Sequence, residues 1–241
     1  MMKTIGLIGG MSWESTAVYY RLINTLVRER LGGLRSAEIL LRSIDFDRVV
    51  ALQRAGDWDG AGALLGDVAE ALVKGGADSV LICTNTMHLV ADQVAARPGV
   101  RLIHVIDETA AAICAAGCRR PLLLATAYTM EHGFYRDRMA AYGLQIQVPD
   151  AAGRAAVHSV IFDELCRGIV RAESRARLMA IVAQGVAAGA DSVILGCTEI
   201  CLLLDPDALG CPGFDSTAIH ARAAVDDALA AVAWDAPAMA A

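Results

Sequence analysis

Two short segments carry side chains able to move a proton. "CTNT" at residues 83–86 joins a thiol, two hydroxyls and an amide, and "GCTE" at 196–199 joins a thiol, a hydroxyl and a carboxylate. Each follows an apolar run of strand character and leads into a helical pattern. A cysteine at a strand end, just ahead of a helix, can have its thiolate stabilised by backbone N–H groups and the helix dipole, below the free value of ~8.5. Such a thiolate is a nucleophile or a proton-transfer base. The hydroxyls and the amide can orient substrate carboxylates, and Glu199 can meet an ammonium, so the two ends together suit a small zwitterion. Taken singly, Thr84, Asn85, Thr86 or Thr198 fits the plain role of a cap for the next helix. Ligand binding requires both ends at once.

Cys83 and Thr84 are neighbours in a strand and point to opposite faces, so only one of them can face a pocket. An internal repeat distinguishes them. "GADSVLICTNT" from Gly76 aligns without a gap on "GADSVILGCTE" from Gly189, 113 residues later. Cys197 then corresponds to Thr84, and Cys83 to Gly196. Earlier in each half, "TIGLIGGMSWES" loosely matches "RPLLLATAYTM". If the halves are related by pseudo-twofold symmetry, Thr84 and Cys197 occupy equivalent carboxyl ends of equivalent strands, where open α/β sheets bind ligands. Cys83 then faces the packing side.

The elements that would position these ends alternate short apolar runs with longer amphipathic ones, the pattern of an α/β chain with mostly parallel sheets. Strands are expected over 4–8, 38–43, 79–83, 102–105, 122–125, 145–148 and 192–195. Helices are expected over 15–29, 58–74, 89–96, 108–116, 130–142, 157–167, 173–188 and 218–232, and the Ala-rich tail 233–241 is expected to fray. The duplication divides the chain into an N-terminal lobe, 1–117, completed by the C-terminal segment 213–241, and a C-terminal lobe, 118–212.

Composition narrows the partners. A chain of 241 residues, 56% hydrophobic and 20% charged, can bury a large core, and its net charge of -6 without a Lys/Arg cluster argues against nucleic acid or an anionic membrane as partner. A small molecule is the better default. No apolar run approaches the ~20 residues of a membrane span, and "MMKTIGLIGG" reads as a first strand and not an export signal, so a cytoplasmic location is expected. The seven cysteines are an odd number with no CxxC pair, which fits reduced thiols and no metal. "GLIGGM" lacks the dinucleotide glycine spacing and looks like a tight turn into a capped helix, whose amides would suit a carboxylate. The five histidines, among them His88, His104 and His220, are not spaced as a site and read as ordinary.

"MKTIGLIGGMSWESTAVYYRLIN", "CTNTMH", "ATAYTMEHGFY", "HSVIFDELCRG", "LGCTEI" and "DSTAIHA" resemble the aspartate/glutamate racemase family along nearly the whole chain, in particular its L-aspartate/glutamate-specific branch. The resemblance implies two Rossmann-like lobes with the active site in the cleft between them, no cofactor, no metal, an acidic amino acid as substrate and a homodimer. It also implies two bases on opposite faces of the substrate. Most of the family carries cysteines in "CNT" and "GCT"; here Thr84 stands before Asn85, as in the Thr/Cys branch. By motif, the resemblance implies Cys197 and Thr84 as the catalytic pair. It implies Met11, Asn85, Thr86, Thr198 and Glu199 as substrate-binding, with Gln53, Arg48 and Thr126 as weaker carry-overs. Rival functions are a single-cysteine decarboxylase of substituted malonates, a cis-trans isomerase of a small dicarboxylate, or a protein that binds an acidic amino acid without turning it over.

Overall fold

Parallel pairing around two central strands organises the molecule. In the computed structural model, which describes residues 1–230 and 232, the first half runs β1 Ile5–Gly9, α1 Trp13–Leu31, β2 Ile39–Ser43, α2 Phe46–Ala55, α3 Trp58–Lys74, β3 Ser79–Ile82, α4 Ala91–Ala95 and α5 Val105–Ala115. The second half runs β4 Pro121–Leu124, α6 Ala127–Glu131, α7 Phe134–Ala140, α8 Ala151–Ser159, α9 Ala172–Ala187, β5 Ser192–Leu195, β6 Gly213–Asp215 and α10 Ser216–Leu229. The two sheets have the orders β2-β1-β3 and β4-β5-β6, all parallel. β1, β3, β4 and β5 are buried along their whole length, as their uninterrupted apolar runs require of strands covered on both faces. No helix of the described residues is long and apolar enough to cross a membrane.

The duplicated GADSV segment has one structural job in both halves. Gly76 and Gly189 adopt φ of 104° and 103°, a conformation that favours glycine, and let the chain leave α3 and α9. The following amides, Ala77 and Ala190, close those helices on the carbonyls of Leu72 and Gly185, each at 3.0 Å. The aspartates then anchor the start of the neighbouring strand. Asp78 accepts from the Thr4 amide at 2.7 Å, and Asp191 from the Arg119 and Arg120 amides at 2.7 and 2.9 Å. The far ends match as well: the Cys83 amide donates to the Ile8 carbonyl at 3.0 Å and the Gly196 amide to that of Leu124 at 2.8 Å.

Several elements depart from the sequence expectation. The strands expected over 102–105 and 145–148 are reduced to single bridges, Val80 to Leu102 and Leu122 to Gln147. In the first case Val105 opens α5, with His104 capping it through its side chain. β6 is only three residues long and shows no apolar run, and α2, capped by Asp45, also escaped notice. The helix expected over 130–142 is broken where His132 is extended, and that over 157–167 starts earlier, at Ala151, and changes to a π turn over Val160–Glu164. The 233–241 tail lies outside the described residues. All seven cysteines are unpaired.

Two helices cross between the halves. Val105, Ile106, Ala110 and Ile113 of α5 lie in the core that surrounds β4 and β5. Ala221, Ala224, Val225 and Ala228 of α10 lie instead in the core containing Ile5 and Leu7 of β1, Tyr19 and Ile23 of α1, and Cys83. α5 and α10 also pack on each other. The sequence division at residue 117 leaves α5 with the first half, whereas its apolar face is buried with the second sheet.

The aspartate anchors give a graded expectation. Asp191→Ala removes the acceptor of two amides and is expected to lower the unfolding free energy by about 1–2 kcal/mol in urea titrations, and Asp78→Ala, which frees one amide, by less. Equal or reversed effects would show that the anchors are not what holds the strand starts.

Candidate active site

All six strands send residues to one cleft at their carboxyl ends. After β1 come Met11, Ser12 and Ser15; after β2, Phe46 and Gln53; after β3, Thr84 to Met87; after β4, Thr126 and Tyr128; after β5, Gly196 to Glu199; and after β6, Thr217. The cleft encloses about 660 Å³ of empty space, including its open mouth. Nine of the ten residues singled out in the sequence line it; Arg48 does not. Arg48 and Gln53 both lie on α2, but five residues at 3.6 per turn set them roughly 140° apart. The face that brings Gln53 to the cleft, where its Nε2 donates to Met87 Sδ at 3.1 Å, leaves Arg48 exposed to solvent.

Cys83 has no access to the cleft. It is fully buried against the α1 and α10 side of the first sheet, its carbonyl accepts from Ser15 Oγ at 2.9 Å, and burial pushes its thiol far above the ordinary value. Thr84, one residue later, lies on the cleft. At the equivalent place Cys197 is half-buried in the cleft wall, and Gly196 occupies the packing position. A Cβ at Gly196 would press on the Leu123 and Ala125 side chains, so the second half has no room there for a counterpart of Cys83.

Glu199 organises the Cys197 end. It is buried, and its Oε2 accepts from Cys197 Sγ at 2.9 Å and from Thr198 Oγ1 at 2.7 Å, while Oε1 accepts from Ser12 Oγ at 3.0 Å. Ser12 also caps α1 by accepting from the Ser15 amide at 3.1 Å, so one carboxylate joins the first loop of one half to the thiol-bearing strand end of the other. Three donors therefore meet the group that the sequence assigns to an ammonium, two on Oε2 and one on Oε1. Burial, and then the charge of Glu199, push the Cys197 thiol well above its ordinary value. Cys166, a further cleft thiol absent from the sequence candidates, is pushed up to about 12, chiefly by burial.

Hydroxyls supply the remaining polarity. Thr86, Thr126 and Thr129 bring their oxygens within 3.1 Å of one another across the two halves. Ser216 Oγ donates to the Leu195 carbonyl at 3.0 Å and accepts from Asn85 Nδ2 at 3.1 Å, which fixes the orientation of that amide. No Lys or Arg is among the described residues that line the cleft, so an anion there is met by neutral donors. Ser12, Phe46, Tyr128 and Thr217 were missed in the sequence. Ser12 alone carried a signal, its place after "GGM" at the head of a helix.

Behind Thr84 lie three buried histidines that sequence spacing gave no reason to group. The ring centroids of His88 and His104 are 4.7 Å apart, and those of His88 and His220 5.7 Å. His220 Nδ1 accepts from the hydroxyl of Tyr19, another cleft residue, at 2.9 Å. Burial lowers the pKa of all three, that of His104 and of His220 to about 4.

The Cys197–Glu199 contact can be tested in the free protein. Glu199→Gln removes the charge beside the sulfur, so the alkaline rise in Cys197 alkylation by iodoacetamide, followed by peptide mass spectrometry, is expected to shift to lower pH. An unchanged profile would mean that the carboxylate does not govern the thiol.

Comparison with known proteins agrees with this architecture. An Asp/Glu/Hydantoin racemase family model matches residues 8–224. A candidate Asp/Glu racemase from Yersinia pestis superimposes with a TM-score of 0.90 at 48% identity, covering 95% of this chain and 100% of that one. An aspartate racemase homologue from Pyrococcus horikoshii OT3 gives 0.84 at 33% identity, covering 94% and 99%. The aspartate racemase of Picrophilus torridus, at 21% identity and a TM-score of 0.72 over 94% of each chain, shares the fold. With the family model spanning nearly the whole length and both sheets ending at one thiol-bearing cleft, the chain belongs to the Asp/Glu/Hydantoin racemase family.

Proposed function

We propose that the protein racemises an acidic amino acid, aspartate or glutamate, by proton transfer between Cys197 on one face of the substrate and Thr84 on the other. The observation that carries this reading is that Cys197, with a carboxylate already on its sulfur, shares one cleft with Thr84 from the equivalent strand, while Cys83 is shut in the core. Family membership and the similarity to proteins described as Asp/Glu and aspartate racemases support the substrate class.

In one direction the Cys197 proton passes to Glu199 Oε2, and the thiolate takes the hydrogen from Cα. The electron pair of the Cα–H bond moves into the α-carboxylate, where hydroxyl donors such as Thr86 and Thr126 stabilise the developing charge. The Thr84 hydroxyl, directly or by relaying a proton from water, then protonates the opposite face of Cα. The alkoxide or hydroxide formed there recovers its proton from solvent, and Glu199 releases to solvent the proton it took from Cys197, so that both ends return to their starting states. In the reverse direction Cys197 is the donor and Thr84 must assist removal. An alcohol is a far weaker acid than a thiol, so its alkoxide is harder to form and proton removal on its side is slower. Unequal kcat values for the two enantiomers are expected, balanced by KM, because both directions share one transition state and the enantiomers have equal free energy.

The decisive experiment follows the α-hydrogen of both enantiomers of aspartate and glutamate in heavy water, together with optical rotation. Wild-type protein is expected to incorporate deuterium with inversion. Cys197→Ser is expected to lose about 10²-fold or more of that rate, and a rate close to wild type would remove the sulfur from the chemistry. Thr84→Ala is expected to keep exchange on the sulfur side without inversion.

A further inference from the structure

We propose that His88 is a positioning residue for the Thr84 face of the reaction: its imidazole holds the Thr84 carbonyl and thereby sets where the Thr84 hydroxyl stands. This rests on the racemase reading above. Thr84 has a short side chain, so its hydroxyl can be aimed only by the backbone and one torsion. Both backbone polar groups of Thr84 are held. Its amide donates to the Ile82 carbonyl at 2.8 Å, and its carbonyl lies 2.8 Å from His88 Nδ1.

The tautomer needed for that bond is fixed from behind. The Val105 amide, at the start of α5, points its hydrogen at His88 Nε2 at 3.4 Å, so Nε2 is the acceptor and Nδ1 carries the hydrogen. A charged imidazole would set two N–H donors against each other there. The ionisable groups around the ring discourage it as well: His104 ahead of α5, His220 on α10 and Arg138 on α7 are all cations or become cations on protonation. His220 is itself held, with Nε2 on the Ile103 carbonyl at 2.8 Å and Nδ1 on the Tyr19 hydroxyl. The clamp thus reaches across both crossing helices to the cleft wall. The repeat gives a contrast: the residue equivalent to His88 in the second half is Cys201, and there Glu199 orders the strand end through side chains.

His88→Leu deletes the donor, whereas His88→Asn places an amide N–H close to the position of Nδ1. His88→Leu is expected to lower kcat for racemisation about tenfold or more with KM nearly unchanged, while deuterium exchange without inversion continues on the Cys197 face; His88→Asn is expected to recover most of the loss. Equal loss on both faces, full activity in His88→Leu, or no recovery in His88→Asn would overturn the proposal. A readout independent of turnover keeps it separate from the racemase reading. Long-range ¹H–¹⁵N spectra of the wild-type protein should show His88 as the neutral Nδ1–H tautomer near neutral pH, and an Nε2–H or charged ring would overturn the clamp even if racemisation were confirmed.

Discussion

The amide that follows each central strand donates to the last carbonyl of its neighbour, Cys83 to Ile8 and Gly196 to Leu124, and the chemistry of the cleft depends on that matched register. Because side chains alternate along an extended backbone, fixing these two amides decides which side chain is turned inward and which is turned to the cleft. In the first half the inward side chain is a thiol and the outward one an alcohol. In the second the inward residue has no side chain and the outward one is the thiol. A slip of one residue in either strand would bring the wrong pair to the cleft.

The two ends, although equivalent in backbone, are supported by different physics. A buried carboxylate accepts the hydrogen bond of the Cys197 thiol, and its charge disfavours the thiolate. Behind Thr84 the His88 imidazole makes its hydrogen bonds to main-chain groups, the Thr84 carbonyl and the Val105 amide. The two equivalent strand ends therefore differ in their supporting contacts as well as in the side chain turned to the cleft.

The uninterrupted apolar strands and the duplicated GADSV segments were legible in the sequence because burial on both faces and a glycine at positive φ each leave a local mark. Thr84 could be preferred over Cys83 for the same reason, since the ungapped repeat carries the register with it. The single-bridge edges at Leu102 and Gln147 were overread as strands because apolar character there reflects burial and not extended pairing. Arg48 was singled out as a cation near the right strand, but helix phase turns it outward. Glu199 was recognised, but its bonds to Ser12, Cys197 and Thr198 were not legible, since the sequence does not show which donors the fold brings to it. The histidine group was invisible: its members are far apart in the chain and meet only where α5 and α10 cross.

That crossing has a consequence for how such a molecule can exist at all. Each half packs its closing helix against the core of the other, so a half expressed alone would expose the apolar surface that the borrowed helix covers. The two halves are therefore tied by exchanged helices as well as by the continuous chain.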